Sequence, residues 1–335
     1  MRQFIAKKEG DRIPLHRMGS WPPFVHAFDE DSVWAINASL ASGRPLLVRG
    51  EPGTGKSQLA RAAAVATGRA FIYTVITSRT EGLDLLWRFD AVARLAQAQV
   101  ANTPGAVPDC LKERHYVQPG PLWWAYNWES AAALVAEPRH CASGIQNNRF
   151  WQPDGWKQGQ GCVLLIDEID KADVDVPNSL LECLGNDNFT VPYLNETIVA
   201  GRDAPPPLVI ITTNEERELP RAFVRRCMVV HLALPAVEVL APWLVSRGAA
   251  HFPNMPEKLL DEAAQIIARD RAKPEQEDGA LPGQAEYLDM LRAVNGMVRK
   301  EKDASPYDKK EEDEALAILK KINKFALNKK LLERP

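Results

Sequence analysis

The chain has little that would tie it to a membrane or to an oxidising compartment. Its five cysteines, Cys110, Cys141, Cys162, Cys183 and Cys227, are odd in number, widely scattered and without a C-x-x-C pair. That pattern argues against a disulfide framework and against a zinc site. Cys162 and Cys183 lie in apolar surroundings and read as small core residues. The six histidines are equally dispersed and show no metal spacing. No apolar run approaches the roughly 20 residues needed to cross a bilayer. The first twelve residues are polar and charged, with no apolar leader core, so the expected location is cytoplasmic. A net charge of -3 gives no electrostatic case for nucleic acid or an anionic membrane. The one concentrated basic run, Lys320, Lys321, Lys324, Lys329 and Lys330, falls on an amphipathic helix and reads as a solvated face. No internal repeat, low-complexity tract, or Ser-His-Asp or Cys-His constellation stands out.

What is present is ordinary globular composition, 45% apolar and 25% charged over 335 residues, a length that suggests two domains or one large domain with a smaller appendage. Against it one segment is distinctive. The apolar run 46–48 leads through Arg49 into Gly50-Glu51-Pro52-Gly53-Thr54-Gly55-Lys56-Ser57, and a helix-like run starts at Gln58. Strand, G-x-x-x-x-G-K-S and helix in that order make a phosphate-binding P-loop. The glycines let backbone N–H groups turn toward an anion, and the helix aims its positive dipole end at the same place. Lys56 can reach the β- and γ-phosphates, and the Ser57 hydroxyl can ligate Mg2+.

Along the rest of the chain, Trp21-Pro22-Pro23-Phe24 predicts an arm, residues 1–28, lying across the surface. Helical spacing is expected over 29–41 with an acidic start, then strand 45–49, helix 58–66 and strand 71–76. Residues 80–99 read as one helix with Leu83, Leu86 and Trp87 on one side. Residues 115–121 read as strand and turn, and 122–136 as helix. Trp123, Trp124, Trp128, Trp151 and Trp156 crowd this region, either as an interaction surface or as packing beneath an insertion. Apolar runs at 162–166 and 208–212 are strands of the kind buried on both faces of a parallel sheet. From 236 onward only helices are expected, over 256–272, 284–300 and 311–330, with polar linkers at 273–279 and 301–310. The expected class is therefore α/β, a P-loop NTPase doubly wound parallel sheet followed by an all-α lid domain. Its parts are an arm (1–28), a nucleotide-binding domain (29–235, with insertions at about 80–160 and 189–203) and a helical lid (236–335).

Two more strand ends carry chemistry. Val163-Leu164-Leu165-Ile166 runs into Asp167 and Glu168. Beside a P-loop, Asp167 would hold the metal and Glu168 would polarise the attacking water. The strand 208–213 ends at Asn214, whose amide could bond the γ-phosphate or that water. Arg225 and Arg226 follow, placed to reach a nucleotide on a neighbouring subunit or simply to sit solvated at the surface.

Together these residues resemble an AAA+ ATPase, and within that superfamily the chain is similar to the MoxR-like ATPases. The finer likeness rests on Tyr116-Val117-Gln118-Pro119-Gly120-Pro121-Leu122, on Asp167-Glu168-Ile169-Asp170-Lys171-Ala172 with Ser179-Leu180-Leu181-Glu182, and on the hairpin strand Phe189-Thr190-Val191-Pro192. The resemblance implies ATP and Mg2+, with ATP rather than GTP chosen on this ground alone. It implies a homo-oligomeric ring, usually a hexamer, and a protein client, often one bearing a von Willebrand A domain. Lys56, Ser57, Asp167, Glu168 and Asn214 carry over by motif. Arg226 matches the trans-acting arginine best, with Arg225 as the fallback. One departure stands out: Gln284 occupies the place of the lid arginine such proteins use in cis, and Arg292 lies two turns later. The alternative, from a different class, is a nucleic-acid-directed AAA+ motor subunit of a restriction or defence complex. Nucleic-acid partners are possible on this reading but not favoured, and no membrane role is expected.

Overall fold

The computed structural model describes residues 4–19, 21–101, 111–137, 150–186, 188–201, 204–273, 281–299 and 305–327. Of the linkers expected at 273–279 and 301–310, residues 274–279 and 301–304 fall outside them, as do Cys110, Cys141, Lys329 and Lys330. In chain order, the amino-terminal segment forms β1 (Arg12–Leu15) and β2 (Phe24–Ala27), an antiparallel pair. Next come α1 (Glu30–Ser42), β3 (Leu46–Arg49), α2 (Lys56–Thr67), β4 (Ala70–Val75), β5 (Trp87–Phe89), α3 (Ala91–Ala101), β6 (Val117–Pro119), α4 (Pro121–Tyr126) and α5 (Trp128–Val135). After β7 (Phe150–Trp151) follow β8 (Cys162–Asp167), α6 (Asp175–Asn186), β9 (Asn188–Val191), β10 (Glu196–Val199), β11 (Leu208–Thr213), α7 (Arg221–Arg226) and β12 (Met228–His231). Four helices close the chain: α8 (Val237–His251), α9 (Glu257–Arg271), α10 (Gln284–Val298) and α11 (Lys309–Leu327).

Contacts divide the chain into two compact units, one of Met1–Arg49 with Ser57–His231, the other of Gly50–Lys56 with Leu232–Pro335. The first is built on a six-stranded sheet in the order β12-β3-β11-β8-β4-β7. Its strands are parallel except β7, which pairs antiparallel at the edge. The crossover order follows from hydrophobicity: β8 and β11 are buried along their whole length, as central strands between two helical layers must be. The chain leaves β3 for the P-loop, β8 for Glu168 and β11 for Asn214 at the carboxyl ends of these parallel strands, where α/β folds place their ligands, whereas Arg225 and Arg226 precede the amino end of β12. The expected P-loop α/β fold with a helical carboxyl-terminal region is what the chain adopts. Among the described residues no helix is long and apolar enough to cross a membrane.

Several local expectations need correcting. Residues 80–99 are not one helix. A one-turn segment Gly82–Leu85 is followed by β5, and α3 starts afresh with Asp90 Oδ1 accepting the Ala93 N–H at 2.8 Å. Pairing of Trp87-Arg88-Phe89 with Val117-Gln118-Pro119 overrides the helical period. Residues 122–136 split at Asn127, whose side chain caps α5 through the Ser130 N–H. α8 was not expected as a helix, and it carries Pro242 inside it. The tryptophans pack rather than display: Trp123 and Trp124 are buried, Trp124 meets Trp128 edge to face, and Phe150 and Trp156 pack against them at tilted angles.

The amino-terminal segment is not merely laid on the surface. Ile5, Leu15 and Met18 are buried in the core. Arg61 on α2 is fully buried and donates to the carbonyls of His16 (2.8 Å) and Pro22 (3.0 Å) while lying under the Trp21 ring. Burial pulls its guanidinium down to about 10.

Candidate nucleotide site

Three glycines give the P-loop its shape. Gly50, Gly53 and Gly55 have φ of +142°, +79° and +95°, values that side-chain-bearing residues rarely adopt. At Gly50 a Cβ would also come within 2.3 Å of the Leu232 carbonyl oxygen, so close backbone approach excludes any other residue. Lys56 is buried, and its Nζ donates back across the loop to the carbonyls of Gly50 (2.7 Å) and Glu51 (2.8 Å). Thr54 Oγ1 donates to the Glu51 carbonyl at 2.9 Å and braces the turn.

Two loop residues have further partners. Glu51 pairs with Arg271 of α9, Nη2 to Oε2 at 2.9 Å, and the Arg271 Nη1 donates to the Pro282 carbonyl at 3.0 Å. Gln58, the cofactor-binding candidate that follows the loop, accepts from Arg61 Nη1 through its Oε1 at 2.6 Å. Gln284 is buried at the start of α10, and Arg292 is paired with Asp289 on the exposed face. Arg271 is the arginine that α9 brings to the loop. In sequence, only its place in a helix's last turn marked it.

At the tip of β8 the Ser57 hydroxyl stands 2.9 and 3.0 Å from the two Asp167 carboxylate oxygens. A hydroxyl and a carboxylate converging at a strand tip are hard oxygen donors of the kind Mg2+ takes, with phosphates and water completing its shell. Among the described residues no group of three or more His, Cys, Asp or Glu stands where it could hold a metal unaided. Thr212, on the neighbouring strand and missed in the sequence, donates from Oγ1 to Asp167 Oδ1 at 2.5 Å and accepts the Glu168 N–H at 2.9 Å. It fixes both acidic residues at once.

Glu168 sits in the left-handed region (φ +61°), turning its side chain away from the line of the strand. Its Oε1 is 3.5 Å from Asn214 Nδ2, and its Oε2 accepts from Lys171 Nζ at 2.7 Å. That bond holds the Lys171 ammonium above its ordinary pKa. The structure thus brings Ser57, Asp167, Glu168 and Asn214 together.

The arginines part company. Arg226 is tied by Nη1 to the Leu181 carbonyl of α6 at 2.9 Å. The Arg225 side chain has no partner among the described residues, and it lines a cleft of about 380 Å³ together with Arg49, Arg217 and Arg221. Arg49 in that cleft is paired with Glu215, which also lies 3.5 Å from His231.

The family model for the AAA domain of the dynein-related subfamily matches residues 45–227, from the strand before the P-loop to the end of α7. Among solved structures, the chain is similar to two single-substitution variants of RuvB from Thermotoga maritima. Each is 16% identical with a TM-score of 0.44, covering 88% and 87% of this chain and 69% and 67% of theirs. No curated protein sequence matches the chain.

Proposed function

Because the chain belongs to the AAA domain family, dynein-related subfamily, and so to the P-loop ATPases, we propose that it is a MoxR-like ATPase. On this reading it hydrolyses Mg·ATP at the interfaces of a homo-oligomeric ring, a hexamer, to remodel or activate a client protein. The observation that carries the chemistry is the meeting of Ser57, Asp167, Glu168 and Asn214 at one end of the sheet. AAA proteins usually assemble into rings, which gives an unpaired arginine such as Arg225 a role on a neighbour's nucleotide. A von Willebrand A domain on the client remains part of this proposal. The nucleic-acid alternative has less support, since the net charge is negative.

The residues would divide the work as follows. The loop N–H groups of 51–56 hold the phosphates, and Lys56 exchanges the carbonyls of Gly50 and Glu51 for phosphate oxygens. Ser57 and Asp167 hold Mg2+, which when bound neutralises charge on the β- and γ-phosphates. Glu168 orients the attacking water and accepts its proton. Asn214 donates its amide to that water or to the γ-phosphate.

The test is Glu168→Gln. Turnover is expected to fall by about 100-fold or more while ATP still binds, because the amide keeps the shape but loses the base. Lys56→Ala should lose binding as well. Wild-type turnover in Glu168→Gln would remove Glu168 from the reaction.

A further inference from the structure

Asp170 is buried at 2% exposure, three residues past the metal-holding carboxylate, in the single turn Ile169–Lys171. A carboxylate so placed must be compensated, and its bonds cross to the turn that follows β11. Its Oδ2 accepts two backbone N–H groups, from Asn214 and from Glu216, each at 3.0 Å. Its Oδ1 has no partner among the described residues. Between the two donors, Glu215 is held in the left-handed region at φ +63°, with its N–H accepted by Thr213 Oγ1 at 2.9 Å. Such a conformation in a non-glycine residue persists only where its surroundings impose it.

We propose that Asp170 is the positioning residue for Asn214: by gripping the backbone on both sides of Glu215 it fixes where the Asn214 amide points relative to Glu168. The inference rests on the ATPase reading above and adds to it a part for a residue that touches neither nucleotide nor metal. Its logic is geometric. Asn214 lies one residue beyond the last paired residue of β11, so the sheet does not fix its direction. Glu168 likewise leaves β8 through a left-handed turn. Two side chains that must meet over one water thus start from two irregular turns. Asp170 lies two residues past Glu168 in the first turn and is bonded to the second, so the two turns are tied together. The Asn214 amide is 3.5 Å from Glu168 Oε1, and a small rotation of the 214–216 turn would take it out of range.

The experiment is steady-state ATP hydrolysis by full-length protein carrying Asp170→Ala, Asn214→Ala and both together. Asp170→Ala is expected to lower kcat by about tenfold or more, in the range of a lost transition-state donor, with KM for ATP within about twofold. The double variant should be no slower than Asn214→Ala, because a misaimed amide and a missing amide fail alike. Glu215→Gly, which takes a left-handed φ without strain, should restore part of the Asp170→Ala loss. Losses that multiply in the double variant, or normal turnover in Asp170→Ala, overturn the inference.

Should Asp170→Ala not fold, Asp170→Asn and Asp170→Glu decide. Asn still offers one oxygen to both N–H groups and should recover most of the turnover, whereas Glu displaces its oxygens by a methylene and should lose about tenfold. Equal turnover in these two overturns the proposal. A wild type that hydrolyses no ATP sinks the parent reading. An active wild type, a slow Asn214→Ala and an unaffected Asp170→Ala sink only this one.

Discussion

Lys171 Nζ lies 2.7 Å from Glu168 Oε2, an ion pair three residues apart formed across a single turn, while the other oxygen of the same carboxylate faces Asn214. The proposed catalytic base is therefore held by a cation from its own loop. Both partners are partly exposed, so the pair is worth about 0.2–1 kcal/mol.

Lys171→Met is accordingly expected to raise basal ATP turnover by about two- to fivefold, by releasing Glu168 from the pair, with the KM for ATP little changed. Lys171→Arg keeps a cation in reach and should restore the restraint. Phosphate release at saturating Mg·ATP checks this. A fall in kcat for Lys171→Met would show that the lysine supports the carboxylate rather than restraining it.

The motif match favours Arg226 as the trans-acting arginine, but the geometry favours its neighbour. Arg226 spends a guanidinium N–H on the Leu181 carbonyl, whereas the Arg225 guanidinium has no partner among the described residues and lines the arginine-rich cleft. Arg225→Ala should cost turnover by about 100-fold or more, the scale of a lost trans arginine, while Arg226→Ala chiefly lowers stability. Mixing inactive Arg225→Ala with inactive Lys56→Ala subunits should recover some hydrolysis, since a shared site pairs one good loop with one good arginine. If Arg226→Ala is the deeper loss and its mixture is the one that recovers, the assignment reverts to Arg226.

The parts of this molecule that could be read in the sequence are those whose signal is local. Glycine spacing specifies the P-loop because each position needs a particular φ. Four apolar residues before Asp167 specify a buried strand because nothing else accommodates such a run. What could not be read depends on distant partners. β5 exists because Val117–Pro119 lies beside it, and α8 keeps Pro242 in its interior while packing against α9. Asp170 looks like one more charge in an acidic turn until its carboxylate meets N–H groups 44 and 46 positions on. Arg271 and Glu51 are 220 positions apart. The motif residues were thus legible, and the side chains that aim them were not.

Two buried thiols should make the fold sensitive to alkali. Burial pushes Cys162 and Cys227 up from 9.0 to about 12 each. A folded-state value above the unfolded one stabilises the fold below the unfolded pKa, and that gain is lost as pH rises from about 9 toward 12. Arg61, pulled down to about 10 from 12.5 by burial, acts in the opposite sense but only above about 10. Tyr287, raised from 10.0 by burial, adds to the loss in that higher range. The interval from pH 8 to 10 therefore isolates the thiols, and stability should fall there by about 1 kcal/mol per thiol. Urea midpoints at the two pH values check this. The slope should flatten in a Cys162→Ala, Cys227→Ala double variant, and an unchanged slope would place the alkaline loss elsewhere.

Gly248 sets helix propensity against packing. It lies in the last turns of α8, where alanine would normally gain up to about 1 kcal/mol. A Cβ there, however, would come within 2.3 Å of Tyr287 Oη and 3.0 Å of Leu260 Cδ2. Tyr287 cannot easily yield: it is fully buried and its hydroxyl donates to the Leu260 carbonyl at 3.2 Å. Overpacking of this kind costs about 1–3 kcal/mol, so it outweighs the propensity gain and Gly248→Ala should lower the thermal midpoint of the helical unit. Tyr287→Phe removes the oxygen that the new methyl strikes. In that background Gly248→Ala should cost less, although Leu260 still crowds it, and the two losses should fail to add. Full additivity would mean that the tyrosine hydroxyl is not what keeps position 248 a glycine.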